Sequence, residues 1–147
     1  MKKKWQLWIG GKWREAKSYE PLYNPHSNEE IAQIGQAEPA DAIEAIVEAN
    51  AAFQKYRSYP AHARAEILFK AAAIMEERSE ELARIISLEA AKTIRNAREE
   101  MNRTVQTYRF AAEASKNNYG EQIPMDAAVG GVNRFGFTVR TPIGVVT

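Results

Sequence analysis

No cysteine occurs anywhere in the 147 residues. Disulfides and thiolate metal sites are thereby excluded, and so is a cysteine nucleophile within this chain. Histidine is nearly as scarce: His26 sits in a turn cluster and His62 at a helix start, neither with an acidic or histidine partner at metal-ligand spacing. Both read as ordinary surface histidines. The nucleotide and metal patterns G-x-G-x-x-G, G-x-x-x-x-G-K-[ST] and H-E-x-x-H are missing as well. Nor is there an excess of one charge. Twenty Lys+Arg against 19 Asp+Glu leave +1, and the basic residues are interleaved with glutamates rather than gathered on a stripe that nucleic acid would need. Long apolar runs are absent too. Met1-Lys2-Lys3-Lys4 resembles the basic start of a leader, but Trp5–Ile9 is broken at once by Gly10-Gly11 and Lys12. No stretch is long enough to span a bilayer, and a cytoplasmic location is expected.

What remains is a globular composition, 45% hydrophobic and 27% charged. Gly10-Gly11 between Trp5–Ile9 and Lys12–Ala16 predicts a hairpin with a two-residue turn. A second antiparallel pair is expected from Tyr19–Tyr23, the turn cluster Asn24–Asn28 and Glu30–Gln36. From Pro39 the apolar period changes from two to about 3.6 residues. Ile43, Ile46, Val47 and Phe53 mark a first helix ending near Tyr56; Ile67, Leu68, Ala71, Ile74 and Met75 mark a second from Pro60. Ser79 reads as the N-cap of a third, followed by Glu80 and Glu81 and carrying Leu82, Ile85 and Ile86. A fourth runs from about Ile94 to Asn117. Beyond Tyr119-Gly120 the pattern is extended: Glu121–Met125 and Arg134–Arg140 predict a long hairpin, and Pro142–Thr147 the opening of a buried parallel strand. Because the sequence stops inside that strand, truncation is expected.

Asn102-Arg103-Thr104 matches a glycosylation acceptor, but inside a helix without a secretory leader the match reads as coincidence. Glu99, Glu100 and Glu113 read as a solvated helix face, since paired acid–base chemistry needs a pocket.

The order of these patterns, with their residues, resembles the aldehyde dehydrogenase superfamily. Leu7-Trp8-Ile9-Gly10-Gly11-Lys12-Trp13 is similar to its first strands, and Tyr23-Asn24-Pro25 through Glu30-Ile31-Ala32 to its NP-x-(T/N)-(G/E)-E-x-(I/L) connection. Pro39-Ala40-Asp41 with Ala45–Phe53, then Arg64-Ala65 with Ile67-Leu68, resemble its first two helices. Leu88-Glu89-Ala90-Ala91-Lys92 resembles its L-E-x-G-K turn, with Ala91 where glycine is usual. Gly120–Pro124 and Arg140–Val146 resemble its oligomerisation hairpin leading into the first Rossmann strand.

The resemblance implies an α/β fold: the N-terminal part of an aldehyde dehydrogenase-type, Rossmann-like cofactor domain of β-hairpins plus four helices, with the oligomerisation β-hairpin, truncated. Residues 1–118 would belong to the cofactor-binding domain, 119–141 to the hairpin and 142–147 to the cut-off strand. The implied activity is oxidation of an aldehyde to a carboxylic acid through a cysteine thioester, with NAD or NADP as cofactor. The implied assembly is a homodimer or homotetramer. The nucleophile, general base and cofactor-binding residues would lie downstream, so no catalytic, cofactor-binding or metal residue is expected here. The alternative is a non-catalytic oligomerisation or interaction module derived from the family.

One substrate-binding residue is expected. Glu100-Met101-Asn102-Arg103-Thr104 resembles the E-x-x-R-T of a subgroup that includes non-phosphorylating glyceraldehyde-3-phosphate and lactaldehyde dehydrogenases. In its phosphate-using members the arginine at the place of Arg103 helps bind the substrate's anionic end. A small hydroxy- or phospho-aldehyde follows as substrate class. The competing reading is that Arg103 pairs with Glu99, Glu100 or an acid elsewhere.

Overall fold

A computed structural model describes residues 3–146. The chain opens with β1 (Lys3–Trp5), β2 (Leu7–Ile9) and β3 (Lys12–Arg14). β2 and β3 form the expected hairpin, with Gly10 and Gly11 both at positive φ (60° and 76°). Glycine reaches that region without a Cβ penalty, and the two-residue turn matches the twist of its strands. Trp8 faces Trp13 across it, ring centroids 4.9 Å apart in an edge-on arrangement. The expected single strand Trp5–Ile9 is split at Gln6: β1 leaves the hairpin and pairs in parallel with β5 (Glu30–Gln36), whose other edge takes β4 (Ser18–Tyr23) antiparallel.

Helices follow at α1 (Pro39–Tyr56), α2 (Ala61–Glu77), α3 (Ser79–Ala90) and α4 (Ile94–Lys116). The backbone N–H of Glu38 donates to the Asp41 carboxylate at 2.8 Å at the start of α1. The expected N-cap at Ser79 is corrected: Ser79 is the first helical residue, and Arg78 both ends α2 and caps α3. Its N–H bonds to Ile74 and its carbonyl accepts from Leu82, so no spare residue remains for a serine cap. α3 ends at Ala91 in the left-handed conformation (φ 50°, ψ 31°), and the Thr93 hydroxyl caps α4 by accepting from the N–H of Asn96.

The core is built from small side chains. Ala65 and Ala72 of α2, Ala83 of α3, and Ala97, Met101, Val105 and Ala112 of α4 are buried. Alanine lets helix backbones approach closely, and around Ala83, Ala97 and Met101 the half-buried Met75, Leu82, Ile86 and Ile94 complete one cluster. The larger apolar residues expected on α1 and α2 point elsewhere: Ile43, Val47, Ile67 and Ile74 are each about half exposed or more.

The long hairpin expected after Gly120 is much shorter. β6 (Gln122–Ile123) pairs with β7 (Gly136–Phe137), and 3₁₀ turns at Met125–Ala127 and Val129–Gly131 occupy the space between. Its stem is held by Thr138 N–H to Glu121 O and Glu121 N–H to Thr138 Oγ1, both 2.8 Å. Residues 142–146 adopt no regular structure, contrary to the expected strand, because no strand among the described residues lies beside them to satisfy their backbone groups. Thr147, the last residue of that expectation, lies outside the described residues.

Candidate functional site

An open groove of about 450 Å³ runs where the end of α2 and the start of α3 meet the middle of α4. Glu76 and Ser79 line one side, and Asn102, Arg103, Gln106 and Phe110 the other. Arg103, Gln106 and Phe110 share a face of α4 because they stand three and four residues apart. The groove holds one guanidinium, the Glu76 carboxylate, several neutral polar groups and an exposed aromatic wall.

The electrostatics turn on how the nearby acids are paired. Glu76 takes Arg109 at 2.7 Å, Glu99 takes Arg95 at 3.4 Å, and Glu100 takes Lys92. Arg103 therefore has no ion pair or side-chain hydrogen bond among the described residues. The pairing with Glu99 or Glu100 that sequence left open is not made. Lys92, hydrogen-bonded to Glu100, holds that carboxyl below the usual carboxylate range, and the nearby charge of Arg103 adds to the effect. Thr104 and Thr107 turn their hydroxyls back onto the helix, donating to Glu100 O and Arg103 O at 2.9 Å each.

The other candidates stay apart from this groove. His26 sits in an exposed turn, its backbone N–H bonded to Asn24 Oδ1 at 2.8 Å, and His62 is exposed in the first turn of α2. Glu113 pairs with Lys116 at 3.3 Å on the solvent side. No group of histidine, aspartate and glutamate able to hold a metal ion occurs among the described residues. No helix among them is long and apolar enough to cross a membrane. Sequence reading missed Lys92 as a partner of this site. Eight residues separate it from Glu100, a spacing that no helical rule flags and that only the turn at Ala91 explains.

The profile of the aldehyde dehydrogenase family matches residues 13–147. Among curated relatives, 3-sulfolactaldehyde dehydrogenase of Priestia megaterium is 33% identical over 144 residues, covering 98% of this chain and 30% of that protein. Malonate-semialdehyde dehydrogenase 1 of Shouchella clausii is 36% identical over 141 residues, covering 95% and 28%. Among solved structures, aldehyde dehydrogenase 21 of Physcomitrella patens, in complex with the reaction product succinate, superposes with a TM-score of 0.87 at 31% identity. That match covers 93% of this chain and 29% of the other. Other solved matches are described as NAD-dependent. This chain thus spans about 30% of the length of the relatives it matches. The four helices, the turn at Ala91 and the β6–β7 hairpin all fall within the matched residues, and the chain belongs to the aldehyde dehydrogenase family.

Proposed function

We propose that the protein containing this segment is an NAD(P)-dependent aldehyde dehydrogenase acting on a small anionic aldehyde, and that Arg103 binds the substrate's anionic end. The observation that carries this reading is a guanidinium that makes no ion pair among the described residues, in an open groove beside three carboxylates that each pair with another cation. A guanidinium is always charged and can donate two parallel hydrogen bonds to a sulfonate, phosphate or carboxylate. The named substrates and product of the relatives agree in kind: sulfolactaldehyde, malonate semialdehyde and succinate all carry an anionic group.

The remaining assignments are part of the same proposal. Residues 1–118 contribute to the cofactor domain, 119–141 form a hairpin through which copies assemble as dimers or tetramers, and 142–147 lead into the first Rossmann strand. The protein works in the cytoplasm. No G-x-G-x-x-G or G-x-x-x-x-G-K-[ST] phosphate-binding pattern occurs in the sequence. This segment's part in the chemistry is to hold the anionic end of the aldehyde at Arg103, which restricts how the carbonyl can be presented.

The test uses the protein translated from the complete reading frame, with Arg103→Ala compared with wild type on malonate semialdehyde and on uncharged propionaldehyde. A loss of roughly 1.5–3 kcal/mol in transition-state binding confined to the anionic substrate is expected. Equal losses on both make Arg103 structural. No aldehyde oxidation at all would overturn the dehydrogenase reading and favour a non-catalytic module.

A further inference from the structure

We infer that Lys92 is a positioning residue for Arg103: by occupying the Glu100 carboxylate it keeps the neighbouring guanidinium free for an anion. The inference rests on the anionic-aldehyde reading above and adds to it a residue that need not touch substrate.

Glu100 and Arg103 stand three apart on α4, the spacing at which an acid and a base ordinarily pair along a helix. Glu100 is not walled off. Its side chain is 36% exposed, and it already feels the charge of Arg103. What holds it is the ammonium of Lys92, which comes from the turn rather than from the helix. That turn is pinned on both sides. Ala91 reverses the chain in the left-handed conformation, the Ser87 hydroxyl donates to Lys92 O at 2.7 Å, and Thr93 is fixed as the cap of α4. A lysine suits this task because its compact ammonium can satisfy one carboxylate without offering a planar fork to the anion. Were Lys92 removed, the nearest cation on the same helix would be Arg103. The groove would then present an internal ion pair in place of a free guanidinium.

The experiment again uses the complete protein. Wild type, K92M, E100Q, the K92M/E100Q double variant and R103A are compared on malonate semialdehyde and propionaldehyde, with circular dichroism to verify folding. K92M is expected to lower kcat/KM for malonate semialdehyde roughly two- to fivefold, the size of an exposed ion pair, chiefly through KM. Propionaldehyde turnover should stay unchanged. The double variant should recover the wild-type value, since a neutral amide in place of the Glu100 carboxylate no longer competes for Arg103. A merely structural Lys92 would depress both substrates and resist that rescue, which overturns the inference. Selective loss in R103A with no change in K92M also overturns it, while leaving the Arg103 reading intact. No selective loss in R103A removes both together.

Discussion

At the scale of single residues, Ala91 is the clearest departure from local preference. It holds φ 50°, a region costing a non-glycine residue roughly 1–2 kcal/mol, at the helix end where glycine is favoured. Ala91→Gly should therefore stabilise the chain by up to about 1 kcal/mol, the gain reduced by glycine's freedom when unfolded. Denaturant unfolding would show the midpoint rising, and a fall would mean that the turn relaxes with the substitution. Glu80 makes a pH-dependent counterpart. Arg98 grips it through two hydrogen bonds of 2.8 and 2.9 Å, Arg84 adds a third, and its carboxyl is lowered to about 2. Because the folded value lies below the ordinary one, this stabilisation is complete above about pH 4.5 and is lost as pH falls toward 2. Thermal midpoints should drop more steeply through that window in wild type than in Glu80→Gln, and parallel slopes would show that the exposed cluster contributes nothing. Sequence pointed to Arg103 through a resemblance but could not say whether it was paired. That depended on Lys92, whose reach across the turn is a matter of three dimensions.

At the scale of elements, helix limits were legible because punctuation and period agreed: Pro39 opened α1, Pro60 preceded α2, and the 3.6-residue pattern carried α4. The buried face was not legible. Ranking residues by apolarity favoured Ile67 and Ile74 of α2, yet Ala65 and Ala72 face α4, because side-chain size decides how closely two helices can approach. The hairpin from Glu121 was overextended by its alternating pattern, since Pro124 and the 3₁₀ turns withdraw residues from pairing. Within the helical layer, Met101 is the largest of the three buried side chains of the central cluster and 5% exposed. Met101→Ala should cost roughly 2–4 kcal/mol by emptying the space between α3 and α4. Chemical denaturation measures it, and a loss below about 1 kcal/mol would mean that the helices collapse onto the gap.

At the scale of the whole molecule, the accessible surface is 11403 Å², against about 7,600 Å² for a compact monomer of this mass. Large apolar side chains contribute to it: Ile43, Val47, Phe110, Val129, Phe135, Val139 and Ile143 are each 60% exposed or more. A polypeptide of only these residues should therefore associate in solution. Light scattering showing a sharp monomer, with one cooperative unfolding transition, would contradict that. The same polypeptide should show no aldehyde oxidation with NAD or NADP, because the thioester route needs a thiolate and the sequence contains no cysteine.

The alanine seam has a consequence in conformational entropy. An alanine has no rotamers to freeze, whereas ordering a leucine or isoleucine side chain costs roughly 0.5–1 kcal/mol. Ala65, Ala72, Ala83, Ala97 and Ala112 thus enter the interior at almost no loss of side-chain freedom. The same lack of shape leaves little to fix how far one helix slides along another. That task falls to Met101 and Val105, and to the ion pair joining Glu76 at the end of α2 to Arg109 on α4. The seam forms readily, while the axial setting of α4, and of Arg103 with it, hangs on a few larger or charged side chains.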